Sequence, residues 1–413
     1  MTILSIIAAV SIISTGVAGG APSDLKMASP IRVLSSSHNV NFPNDVVFSL
    51  EAESDSPITE VRLFYSLENH PVQVYGYPDF EPDTRVAAEF SVKTDGSNYI
   101  PTGVEFEYFY RITASGGNTL ETDPLSFAYR DPRYTWRELT RGDLTVLWHN
   151  LPQEDIERVA DDVMGQLTAV REMFGVTEFV PMKAVIVNGT LEARRAFPFT
   201  SNAATRSHLY GGFAFGEYGL FVIQGLSADT MVHEATHLLL DAAIDSPLAR
   251  VPAWLNEGLS TYFEESGSRR GATVSRAERS NDLLSLSSMG NQPGRPRDVG
   301  IFYAQAWSTV NFMVAAYGRD KMSELITTIN DGNRIDAAIS KTYGVTLDEM
   351  EQLWKADLKG QPVVLTRPDL GTVATAGMIS GAFMIAVIAS TWRWIMRWLR
   401  GPQPDDDSAT QAE

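Results

Sequence analysis

The chain has 413 residues, 44% hydrophobic and 20% charged, which suits two or three globular domains and excludes wholesale disorder. Its 51 acidic side chains against 33 basic ones leave a net charge of -18, which repels a phosphate backbone, so nucleic acid is not expected as a partner. Cysteine is absent; disulfides, thiolate metal ligands and cysteine nucleophiles are excluded together, and the histidines become the scarce reactive resource.

Residues 1–23 carry no charge, and the apolar run from Ile3 to Val17 is too short to cross about 30 Å of hydrocarbon as a helix. Small residues at Gly16, Ala18, Gly19, Gly20 and Ala21 follow it, so residues 1–21 read as a signal peptide or an uncleaved N-terminal anchor. Over residues 26–130, β-rich runs at 46–50, 58–65, 87–92, 105–113 and 125–129 alternate with turn pairs such as Asp95–Gly96 and Gly116–Gly117. The spacing predicts an all-β, sandwich-like domain of immunoglobulin or fibronectin type. His38 and His70 stand apart from acidic partners and are expected to be exposed or structural.

After Asp131 and Pro132 the pattern changes. A strand at 144–148 precedes a helix on which Ile156, Val159, Val163, Leu167 and Val170 recur at helical spacing. A strand at 184–187, a helix from Leu191 and extended chain over 212–223 come next, and helical periods then cover 229–243, 252–265, 302–317, 321–330 and 347–358. This second domain, 138–362, is therefore expected to be α+β. Residues 370–391 carry no charge, long enough for a membrane span of roughly 20 residues. Trp392, Arg393, Trp394, Arg397, Trp398 and Arg400 follow at once, as expected on the cytoplasmic side, which makes 392–413 a cytoplasmic tail. One crossing near the end predicts a single-pass cell-membrane protein whose domains lie outside the cytoplasm. Gly377 and Gly381 form a GxxxG pair that can pack two spans into a dimer.

The chemistry concentrates at 231–239, where His233, Glu234, Ala235, Thr236 and His237 make an HExxH on a helix. Four residues of helix turn a side chain by about 40° and advance it roughly 6 Å, so both imidazoles reach one metal ion, with Glu234 beside it as a general base and acid. With 6 histidines and 25 glutamates in 413 positions, the motif arises by chance about 0.005 times per chain, so accident is a poor explanation. A zinc site wants a third protein ligand. Glu257 is the natural one: it sits on a helix begun by Pro252, and its apolar neighbours Trp254, Leu255, Leu259 and Phe263 imply a buried carboxylate that needs compensation.

HEATH, then WLNEGLSTYFE and YAQAW, together resemble the gluzincins, the thermolysin-like clan of zinc peptidases, and most closely the peptidase MA-like family. The resemblance implies Zn2+ on His233, His237 and Glu257, and Glu234 as general base and acid. It also implies that Asn256 orients His237, with Asp241 a further candidate, and that Gly211 to Ile223 supplies an edge strand for substrate. Thermolysin stabilises the oxyanion with a later histidine, whereas no histidine follows His237 here. A tyrosine takes that place by resemblance: Tyr303, which also belongs to an ordinary core stripe with Trp307, Val310 and Val314, or else Tyr262. His208 is expected in the cleft and His149 in a structural role. Together these readings predict a membrane-anchored, extracytoplasmic zinc metallopeptidase acting on peptides or proteins; the alternative is a cell-surface binding module that keeps the fold without turnover.

Overall fold

The computed structural model describes residues 31–199 and 211–363. The segments 1–21, 370–391 and 392–413, with Gly377, Gly381 and His208, lie outside the described residues. Among the described residues no helix is long and apolar enough to cross a membrane.

The first part of the chain is all β: β1 (Arg32–Asn41), β2 (Asp45–Glu53), β3 (Ile58–Leu67), β4 (Val74–Gly76), β5 (Arg85–Lys93), β6 (Glu105–Ala114), β7 (Thr119–Glu121) and β8 (Leu125–Ala128). Two antiparallel sheets result, ordered β1-β2-β5 and β4-β3-β6-β7, with β8 also on β6. Alternation along β2 and β6 turns every second side chain inward. Phe48, Leu50, Val61, Leu63, Phe106 and Tyr108 meet there, each 1% exposed or less. Burial of each such apolar side chain stabilises by about 1.5–3 kcal/mol. The polar edge strand β1 shows no such alternation, which is why hydropathy alone passes over it.

The second part is α+β: β9 (Arg137–Arg141), β10 (Leu144–Trp148), α1 (Gln153–Phe174), β11 (Met182–Val187), α2 (Thr190–Ala196), β12 (Gly212–Phe215), β13 (Leu220–Gln224), α3 (Ala228–Ala243), α4 (Ala253–Tyr262), α5 (Gly271–Ser280), α6 (Pro296–Tyr317), α7 (Arg319–Asn330), α8 (Ile335–Tyr343) and α9 (Leu347–Leu358). Its sheet runs β12-β13-β11-β10-β9, parallel in the middle and antiparallel at both edges. The central strands are apolar almost throughout because both faces are covered. Val146, Ala184, Ile186, Phe221 and Ile223 face the helical core, while Leu147, Val185, Val187, Leu220 and Val222 belong to the core shared with the β-sheets of the first part.

Several details differ from the sequence expectation, and β9, α5 and α8 lie where no element was expected. The extended run 212–223 is a hairpin, broken by a tight turn at Gly216–Tyr218. The helix expected over 252–265 stops at Tyr262, and Glu265–Arg270 winds into a 3-10 turn. The helix expected from Phe302 begins at Pro296, where proline is tolerated because a first-turn N–H has no partner to lose.

Candidate metal centre and cleft

Helix α3 starts where Ser227 accepts a hydrogen bond from the Thr230 N–H at 3.2 Å. Asp229 in the first turn also accepts from the N–H groups of Glu265 (2.8 Å) and Ser266 (3.3 Å), which ties the helix start to the turn after α4. Met231, Val232, Ala235 and Leu239, all fully buried, pull one face into the core. His233 and His237 then share another face, with ring centroids 4.9 Å apart.

Helix α4 is driven inward by Trp254, Leu255 and Leu259, and this brings Glu257 against both imidazoles. Its Oε2 lies 3.3 Å from Nε2 of His233 and 3.7 Å from Nε2 of His237, and the ligand atoms of the three residues all fall within 4.8 Å of one another. That oxygen is buried and has no hydrogen-bond partner, a costly state unless a cation compensates it. Both Nδ1 atoms are occupied. Nδ1 of His233 lies 2.8 Å from Glu264 Oε1, and Nδ1 of His237 lies 2.7 Å from Asn256 Oδ1 and 3.2 Å from Ser260 Oγ. With Nδ1–H donating outward, each ring turns the lone pair of Nε2 toward Glu257. The group can hold a metal ion, and its nitrogen and oxygen donors fit a borderline cation.

Electrostatics point the same way. Burial depresses the pKa of His233, but the neighbouring carboxylates of Glu257 and Glu264 outweigh it and raise the value. Burial alone lifts Glu257, yet His233, His237 and Gln292 hold it below the ordinary carboxylate range. Burial also lowers His237 and pushes Glu234 up to about 7, near the pH where a carboxyl both accepts and returns a proton. The edge strand runs close to this carboxylate: a methyl group on Gly212 would stand 2.8 Å from Glu234 Oε1.

These residues border an open cleft of about 720 Å³. Edge strand β12 lines it, as do Gln292, Val299 and Tyr303. Tyr303 lies with its ring 6.4 Å from that of His233 and also packs on the helical core. Asp241 lines the cleft and acts on His237 through charge, since Asn256 and Ser260 occupy Nδ1. Tyr262 packs against Phe263 and the core and does not line the cleft. His149 is buried and does not line the cleft; it is bonded to Glu192 at 3.0 Å and stacked on Tyr134 at 4.0 Å. His38 stacks on Phe127 at 3.7 Å and His70 on Tyr218 at 6.0 Å.

Sequence reasoning missed Glu264, Ser260, Arg270 and Gln292. Glu264 is paired with Arg270 at 2.8 Å as well as with His233. It lies in extended backbone two residues past the end of α4, so the helical period that carries Glu257 does not place it. Gln292 sits in a loop and gave no signal.

Residues 166–360 match the model of the Peptidase MA superfamily. Among solved structures, an aminopeptidase N family protein from Idiomarina loihiensis is similar at 10% identity over 75% of this chain and 73% of that one, with a TM-score of 0.39. A catalytically inactive OgpA from Akkermansia muciniphila, in complex with an O-glycopeptide, is similar at 8% identity over 25% of this chain and 30% of that one, with a TM-score of 0.20. A carbohydrate-binding module family 56 β-1,3-glucan binding domain is similar at 22% identity over 22% of this chain and 95% of that one, with a TM-score of 0.16. These superpositions are too loose to carry a functional argument. None of the curated proteins matches.

Proposed function

We propose that this chain, whose residues 166–360 match the Peptidase MA superfamily model, is a zinc metallopeptidase anchored at the outer side of a cell membrane and hydrolysing peptide bonds. The observation that carries this reading is the buried, unpartnered Oε2 of Glu257, aimed between two imidazole nitrogens whose opposite faces are already fixed. Glu234 lies in the same cleft. Bound to His233, His237 and Glu257, zinc supplies a Lewis acid that activates water and polarises the scissile carbonyl.

The chain's own residues do the rest. Glu234, in the cleft beside edge strand β12, takes the proton of the attacking water and passes it to the leaving amine. The Tyr303 hydroxyl is the side-chain donor for the developing oxyanion. Edge strand β12 pairs with an extended substrate, so that backbone hydrogen bonds lay the peptide along the cleft. Anchoring rests on the uncharged segment 370–391 and the arginine and tryptophan cluster behind it.

The test is Glu234→Gln, which removes the proton acceptor and no ligand. Hydrolysis of a mixed peptide library should fall by 10²-fold or more, while zinc content by elemental analysis stays that of the unsubstituted protein. Near-normal turnover would end the proposed mechanism, and absence of zinc from both proteins would end the metal assignment.

A further inference from the structure

The two oxygens of Glu257 meet different surroundings. Oε2 faces the two histidines. Oε1 instead accepts a hydrogen bond of 2.6 Å from the side-chain amide of Gln292, and the same amide nitrogen lies 3.2 Å from the Tyr303 hydroxyl. An ionised carboxylate offers only acceptors, so the NH2 end of the amide must be the end that faces it. That nitrogen thus donates toward both one carboxylate and one phenol oxygen. A phenol that accepts from Gln292 turns its own hydrogen away from the amide.

The Gln292 loop is tied to the helix that carries Glu257. Carbonyls of Met289 and Gly290 accept from the N–H groups of Trp254 and Ala253 at 3.1 and 3.0 Å, donors that a helix start leaves without intrahelical partners. Met289 is itself buried in the helical core beside Trp254. Amide and carboxylate thus rest on a common base, and their separation is set by backbone hydrogen bonds rather than by a free loop.

We propose that Gln292 is a positioning residue: it occupies Oε1 so that Glu257 presents Oε2 alone to the metal, and it orients the Tyr303 hydroxyl over the same site. The proposal rests on the metallopeptidase reading above. A carboxylate engaged through both oxygens takes a position that a hydrolytic site must keep open for water or substrate. An amide bonded to Oε1 opposes that second contact without adding charge to a cleft already rich in carboxylates. A lysine there would add a cation beside the metal.

The experiment uses Gln292→Leu, which keeps similar bulk and removes both side-chain N–H donors at an exposed residue. The dissociation constant for zinc, by competition with a chromophoric chelator, should rise roughly 10- to 100-fold. The visible spectrum of the cobalt-substituted protein should change, because a second carboxylate oxygen alters the coordination number. Peptidase kcat should fall with KM little changed. Tyr303→Phe should keep zinc affinity and lower kcat, and in the double variant the two losses should not add, because one group acts partly through the other. Unchanged zinc affinity and an unchanged cobalt spectrum in Gln292→Leu would overturn the role at Glu257, and fully additive kcat losses would overturn the role at Tyr303. If the unsubstituted protein binds no zinc, the metallopeptidase reading itself fails; if it binds zinc and Gln292→Leu matches it, only the Gln292 proposal fails.

Discussion

Glu257 and Glu264 press on opposite sides of the His233 ring, at 3.3 and 2.8 Å, but they belong to different kinds of contact. Glu257 ends in an unpartnered oxygen, whereas Glu264 is shared with Arg270 and faces the nitrogen turned away from the site. Substitution should separate them. Glu257→Gln replaces a charged ligand by a poorer neutral donor, and is expected to abolish zinc retention at limiting metal together with activity. Glu264→Gln leaves every ligand in place, so zinc affinity should weaken by roughly 10- to 100-fold without vanishing. Chelator competition on both variants checks this, and full zinc occupancy in Glu257→Gln at limiting metal would sink its assignment. His233, Glu234 and His237 were legible in the sequence because they share one helix, whose period alone sets their relative directions. Gln292 was not legible, since a loop amide has no period and the bond to Glu257 spans 35 residues.

Between elements, the decisive approach is that of β12 to α3. A methyl group on Gly212 would stand 2.8 Å from Glu234 Oε1 and 2.9 Å from Ile223 Cγ2, so the strand can lie this close only because the position has no side chain. Ile223 is locked in the sheet core, and the carboxylate is the part that must give way. Gly212→Ala is expected to lower kcat by about 10- to 100-fold, since small misplacement of a reacting group is costly, while zinc content stays unchanged. Steady-state kinetics with metal analysis reads this out; wild-type kcat would show that Glu234 tolerates the intrusion. The hairpin itself was only half legible. Its residues read as extended chain, but the turn at Gly216–Tyr218 and the edge placement of β12 follow from pairing with β13.

At the scale of the whole molecule, the β-sheets of the first part cover one face of the second part's sheet. Lys183 reaches across to the Gly103 carbonyl at 3.0 Å and to Glu68 at 2.5 Å, and Tyr99 donates to the Ala196 carbonyl at 2.5 Å. Gly103 sits at the contact with φ +101°, and a methyl group there would stand 2.5 Å from Val185 Cγ2. Gly103→Ala is therefore expected to destabilise the protein by about 1–3 kcal/mol through overpacking and backbone strain. Denaturant unfolding measures it, and an unchanged midpoint would mean that the two parts do not depend on this contact. Topology is tested separately: protease outside intact cells should remove the residues before 370 and leave the tail after Arg400 protected, and an accessible tail would invert the orientation. The sequence by itself determined the α+β character of the second part, the all-β character of the first, and the helix bearing His233, Glu234 and His237, because each depends on residues close along the chain. Only the tertiary structure decided that Glu264, Ser260 and Gln292 complete the site and that β12 lies against Glu234. Those contacts join segments 20 to 35 residues apart or more, and their geometry is set by how buried elements pack on one another, which local periodicity does not encode.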